Sequence, residues 1–159
     1  MTAPNGSLLS APPEVRGKRV LVYSLGIEGR DLAGWLLANG ATVVISDTRS
    51  DEALAAAGAH APRGVLRLVS GEPLLDPSGY DLVAVSQSVL RYNPALQRAR
   101  ELGIPVTSQM RLFMQLCPGK TVGITGSSGK STTTALVGGM AREAGIDSIV
   151  GGNIGEALL

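Results

Sequence analysis

Short runs of consecutive apolar residues alternate along this chain with longer stretches of mixed polarity. RVLVYSL (Arg19 to Leu25), ATVVIS (Ala41 to Ser46), VLRLVSG (Val65 to Gly71) and DLVAVS (Asp81 to Ser86) are too short for stable helices. They are apolar at successive rather than alternate positions, which predicts strands covered on both faces. A helix is predicted from about Glu28 to Asn39, with Gly40 behind it, and another over DEALAAAG (Asp51 to Gly58). The same phrase of helix, terminal glycine and β-branched strand returns in PALQRARELG then IPV (Pro94 to Val106), and in TTALVGGMAREAG then IDSIV (Thr133 to Val150). Glycine ends a helix well because left-handed backbone costs it least. Antiparallel strands need only tight turns, whereas helices set between buried strands are what parallel crossovers require. The pattern predicts an α/β fold built on a parallel sheet.

By about Pro105 the chain has five strand candidates, enough for a doubly wound, Rossmann-like domain. Residues 1–17, with Pro4, Pro12, Pro13 and two glycines, read as a loose leader, and residues 18–117 as that first domain. Cys117, Pro118 and Gly119 interrupt the rhythm, and KTVGIT (Lys120 to Thr125) is expected to open a new strand. Residues 118–159 are thus the beginning of a second α/β domain, too small to bury a core unaided. Its apolar surface is expected to pack on the first domain, to stay partly exposed, or to drive self-association with another copy of the chain.

Composition narrows the partners. The 159 residues carry a formal charge of +1, 17% are charged, and no basic run is present. Neither nucleic acid nor an anionic membrane surface is expected as a partner. No apolar run approaches the roughly 20 residues of a membrane-spanning helix, and the first residues lack the plan of a signal peptide. Cys117 is the single cysteine, so no internal disulfide can form. These features point to a cytoplasmic protein with a small-molecule partner.

Two stretches carry chemistry. VGITGSSGKSTTT (Val122 to Thr134) sets small residues at a predicted strand-to-helix junction. Backbone N–H groups converge there and the helix end is partly positive, so phosphate binds readily. Gly126, Ser127, Ser128, Gly129, Lys130, Ser131 and Thr132 are the candidate ATP-binding residues. Lys130 supplies a mobile charge, and the Ser131 hydroxyl is of the kind that ligates Mg²⁺; these two are the candidate catalytic residues, with Ser131 the metal ligand. The general phosphate-loop pattern would place its first glycine at Ile124, whereas Gly123 stands one position early. The plain alternative is a turn that merely needs glycine, with a solvated lysine. The second stretch, SLGIEG (Ser24 to Gly29), is a dinucleotide-type turn with Ser24 in the first glycine's place, and Asp47 ends the following strand. Read by spacing alone it suggests NAD and an oxidoreductase, or only a tight turn. His60, with no second ligand nearby, and Cys117 read as structural.

GITGSSGKSTTT followed by VGGNIG (Val150 to Gly155) resembles the nucleotide loop and next strand of the Mur ligases, the ATP-dependent amide-forming enzymes of peptidoglycan precursor synthesis. In that family the loop lacks a glycine at the first general slot. The likeness spans nearly the whole chain and is strongest toward members that add D-glutamate to UDP-N-acetylmuramoyl-L-alanine. It implies that the first domain holds the UDP part of the substrate, with Ile27, Glu28, Asp47, Thr48, Arg49, Ser86 and Asn153 as its binding residues. It also implies ATP and Mg²⁺ at the second turn, and an acyl-phosphate route. Ser86 matches the serine of a family S-P-G turn, here followed by Gln87 and Ser88; Gln109 and Arg111 stand where acidic residues are usual. The D-glutamate site and the remaining magnesium ligands are expected beyond residue 159, which makes this chain by itself an inactive piece. Another Mur-type ligase, a self-contained P-loop ATPase using Asp47 as its magnesium-linked acid, and the NAD-dependent oxidoreductase are the alternatives.

Overall fold

The structure, a computed structural model, describes residues 14–152 and Leu159. Two compact units divide the chain, residues 1–116 with Leu159, and residues 117–158. In the first unit five strands form one parallel sheet: β1 (Arg19–Tyr23), β2 (Thr42–Ser46), β3 (Arg67–Val69), β4 (Leu82–Val85) and β5 (Val106–Ser108), in the order β3-β2-β1-β4-β5. The helices α1 (Ile27–Ala38), α2 (Asp51–Ala56) and α3 (Pro94–Glu101) make the crossovers β1 to β2, β2 to β3 and β4 to β5. The α/β expectation and all five strands of the first unit are present.

Alternation along β1 explains the unbroken apolar run. Val20 and Val22 enter one core layer with Leu32 and Leu36 of α1, Leu54 of α2, Val43 and Ile45. Leu21 and Tyr23 enter the other, with Leu96 and Ala99 of α3, Val44 and Val83. Each such leucine removed from water contributes about 1.5–3 kcal/mol. No helix joins β3 to β4. The connection instead crosses the α3 face as an irregular segment, with Leu74, Leu75 and Tyr80 packed on the core. It is fastened by the Tyr23 hydroxyl donating to the Leu75 carbonyl (2.6 Å) and the Leu75 N–H donating to Ser46 Oγ (3.0 Å). Burial, with Asp76 and Tyr80 adding to it, raises the Tyr23 phenol above its ordinary pKa, so it remains a donor.

Boundaries differ from the sequence pattern for local reasons. β1 stops at Tyr23 because Ser24 adopts φ +73°, which no ladder residue can. β5 begins at Val106 because the Ile104 N–H is taken by the Ala99 carbonyl of the helix end (2.9 Å). The end of the expected leader is anchored: Val15 is buried and the Gly17 N–H donates to the Gly40 carbonyl (2.8 Å). Residues 1–13 of that leader lie outside the described residues. A helix that the pattern did not announce, α4 (Gln109–Leu116), buries Leu112 against α1. Gln109 starts it and donates through Nε2 to the Asp31 carboxylate of α1. An acid at 109 would meet Asp31 with like charge.

The second unit contains α5 (Lys130–Glu143). The strands expected at Lys120–Thr125 and Ile146–Val150 do not form: neither segment stands in a ladder among the described residues. A strand takes its backbone hydrogen bonds from a neighbour, and these two segments are not paired. Val122, Leu136, Met140, Ile146 and Ile149 are exposed accordingly.

Candidate functional site

In open parallel sheets ligands sit beyond the carboxyl ends of the strands, where the strand order reverses. Here the reversal lies at β1, which pairs with β2 on one side and β4 on the other. Three turns meet there: Ser24–Gly26 after β1, Asp47–Arg49 after β2 and Ser86–Ser88 after β4. Gly29 allows the first of them. A Cβ at Gly29 would lie 1.9 Å from the Ser24 carbonyl oxygen, so α1 can start this close to the strand end only without a side chain.

Asp47 is buried and its carboxylate is fully engaged. Oδ2 accepts from the Leu25 N–H (2.6 Å) and Arg49 Nη2 (2.7 Å); Oδ1 accepts from the Arg49 N–H (2.9 Å) and Nε (3.0 Å). Burial opposes its charge, but the Arg49 guanidinium and the two backbone N–H groups outweigh that and hold its pKa down at about 2. The bidentate contact fixes Arg49 at the rim of a cleft of about 330 Å³ lined by Gly26, Ile27, Arg30, Arg49, Ala57, Gly58 and Ala59. Two cations therefore face the cleft and no carboxylate lines it. Ile27 presents an apolar side chain, 79% exposed, at the start of α1.

The other expected residues of this unit are nearby in the fold. Glu28 accepts from the Gln87 N–H (2.9 Å), buried Ser86 shares a hydrogen bond with Ser88 (2.6 Å), and Thr48 is exposed. Asn153 lies outside the described residues. Arg30 and Ser88 were missed by the sequence reading. Arg30 falls one helical turn after Gly26, a position the glycine pattern does not mark.

In the second unit the glycine-rich turn leads into α5. Gly129 is its N-cap at φ +76° and Gly126 stands at φ +155°, both conformations that favour glycine. The Lys130 Nζ donates back to the Gly126 carbonyl, drawing the turn into a loop. Lys130 forms no ion pair among the described residues, and Ser127, Ser128, Ser131 and Thr132 are exposed around it. A glycine-lined loop, an ammonium folded back onto it without an ion-pair partner among the described residues, and a helix N-terminus together fit a nucleotide phosphate, and the Ser131 hydroxyl fits Mg²⁺.

A parallel sheet with a cleft beyond the ends of β1 and β2, followed by a glycine-rich loop opening a helix, is the plan of a nucleotide-handling α/β protein. No family profile matches the chain. Its relatives are specific: it is 41% identical over 145 residues to the UDP-N-acetylmuramoylalanine--D-glutamate ligase of Clostridium novyi (strain NT), covering 91% of this chain and 32% of that protein. The ligase of the same name from Anaeromyxobacter dehalogenans (strain 2CP-C) is 41% identical over 150 residues, 93% of this chain and 32% of its own length. A solved UDP-N-acetylmuramate-alanine ligase from Thermotoga maritima aligns with a TM-score of 0.47 at 26% identity, over 80% of this chain and 29% of its own. The chain belongs to the Mur ligase family. It corresponds to the amino-terminal portion of the D-glutamate ligases and spans about a third of the length of the curated relatives it matches.

Proposed function

We propose that this chain is the nucleotide-sugar-holding part, together with the ATP loop, of a ligase that joins D-glutamate to UDP-N-acetylmuramoyl-L-alanine in peptidoglycan precursor synthesis. The observation that carries this reading is that Asp47 is spent on Arg49, so that cations face the cleft beyond the ends of β1 and β2. In an NAD site the strand-end acid accepts ribose hydroxyls, and here both carboxylate oxygens are already saturated. The same saturation argues against Asp47 as a magnesium-linked acid. Arg49 and Arg30 suit a diphosphate, and exposed Ile27 offers an apolar surface to a base. Thr48, Glu28, Ser86 and Asn153 complete the proposed set for the UDP-sugar.

In the proposed reaction the γ-phosphoryl group of ATP passes to the L-alanine carboxylate of the UDP-sugar, the D-glutamate amine attacks the acyl carbon, and phosphate leaves. Lys130 and the α5 N-terminus neutralise charge on the transferring group, and Gly126 to Gly129 let backbone approach the phosphates. Mg²⁺, held in part by Ser131, supplies further charge neutralisation when bound. D-glutamate is taken by parts of the enzyme outside this chain. A cytoplasmic site of action fits such soluble substrates, and no helix among the described residues is long and apolar enough to cross a membrane.

Calorimetric titration of the chain with UDP-N-acetylmuramoyl-L-alanine tests the first half of this proposal. Arg49→Ala is expected to weaken binding roughly ten- to a hundredfold, the worth of about 1.5–3 kcal/mol for a hydrogen bond to a charged group. Equal affinity of variant and parent would remove Arg49 from the site.

A further inference from the structure

Ser24 occupies the first glycine place of its turn and keeps a glycine's backbone, φ +73°; no other non-glycine residue among the described residues has positive φ. A strained residue of this kind persists where its surroundings over-determine it, and such positions gather at functional sites. The Ser24 N–H donates to the Ser46 carbonyl (2.8 Å), and Gly29 packs against the Ser24 carbonyl from above. Its side chain has a use that glycine could not supply. Ser88 Oγ donates to Ser24 Oγ (3.0 Å), and Ser86 Oγ shares a hydrogen bond with Ser88 Oγ (2.6 Å). Three hydroxyls thus run in a row from the end of β1 to the end of β4. Beside them the Gln87 N–H donates to Glu28 Oε2 (2.9 Å), a second tie between the same two turns.

We propose that Ser24 and Ser88 are positioning residues: a hydroxyl clasp that fixes the spacing of the two turns across the switch point, where the diphosphate of a nucleoside diphosphate ligand is held. The inference rests on the nucleotide reading above and adds to it the residues that preorganise the crevice. The serine at 24, for all its backbone conformation, has a use that its partner at 88 completes by closing the row. Preorganisation of this kind raises affinity by removing an ordering cost at binding, without requiring either hydroxyl to be the main ligand contact.

The test uses the 159-residue chain, UDP as the probe, calorimetry for affinity and thermal melting for integrity. Ser88→Ala is expected to weaken UDP binding about three- to tenfold, and Ser88→Thr, which keeps the hydroxyl, to stay within about twofold of the parent. Ser24→Gly, which relieves the backbone, is expected to bind UDP as weakly as Ser88→Ala while melting no earlier than it. The double variant Ser24→Gly/Ser88→Ala is expected to bind no more weakly than either single one, because the two act as a unit. Additive losses, or Ser88→Ala binding like the parent while Arg49→Ala does not, would overturn the clasp and leave the nucleotide site standing. A parent chain that takes no UDP would overturn the nucleotide reading, and the positioning role with it.

Discussion

Asp47 is the residue on which the reading of the first unit's site turns. Its place at the end of β2 is where a dinucleotide site has its ribose acid, yet four donors converge on its carboxylate. Its work is to hold the Leu25 N–H and to aim Arg49. The pH dependence follows from its pKa, held at about 2 against 3.8 for a free aspartate. A carboxylate depressed by folding stabilises the native state fully above the unfolded pKa, and that contribution is lost as pH falls through the folded value. About 2 kcal/mol of stability is therefore expected to disappear between pH 4 and pH 2. Melting curves of the parent and Asp47→Asn over that range check this: the parent's loss of stability should be steeper, and parallel profiles would show that Asp47 contributes nothing through its charge.

At the scale of elements, the most exacting contact is that between α1 and the end of β1. Gly29→Ala would drive a methyl group into the Ser24 carbonyl, a backbone atom that cannot turn aside. A loss of about 3 kcal/mol is expected, read as a lower denaturation midpoint with an unchanged slope. A variant as stable as the parent would mean that α1 can shift at little cost. The elements of the first unit were legible because their signals are local: consecutive apolar residues, then a helix, then glycine. What was not legible depended on contacts distant in sequence. α4 buries little beyond Leu112 and Gln109, and its pairing with Asp31 joins positions that no periodicity links. The Ser24 to Ser88 bond is of the same kind. The strands expected at Lys120–Thr125 and Ile146–Val150 failed in the opposite sense. Their composition is strand-like, but composition supplies no hydrogen-bond partner.

At the scale of the whole molecule, a glycine-containing turn opens a helix in each unit, and on the proposed reading each turn meets a phosphate. Glu143 closes α5 about 20 Å along the helix axis from Lys130, too far to help hold a metal at the loop. The purified chain is expected to bind ATP weakly and to release no phosphate in the presence of UDP-N-acetylmuramoyl-L-alanine, D-glutamate and Mg²⁺. Steady phosphate release that Lys130→Ala abolishes would make the chain a self-contained ATPase instead. On the proposed reading, the cleft beyond the ends of β1 and β2 in the first unit takes the UDP end of a nucleotide sugar. The most direct test of that reading is a residue-resolved NMR titration of the ¹⁵N-labelled chain with UDP and, separately, with NAD⁺. UDP should shift the amides of Leu25 to Gly29, Asp47 to Arg49 and Ser86 to Ser88, and NAD⁺ at the same concentration should leave them near their free positions. Shifts at those residues with NAD⁺ but none with UDP would contradict the account.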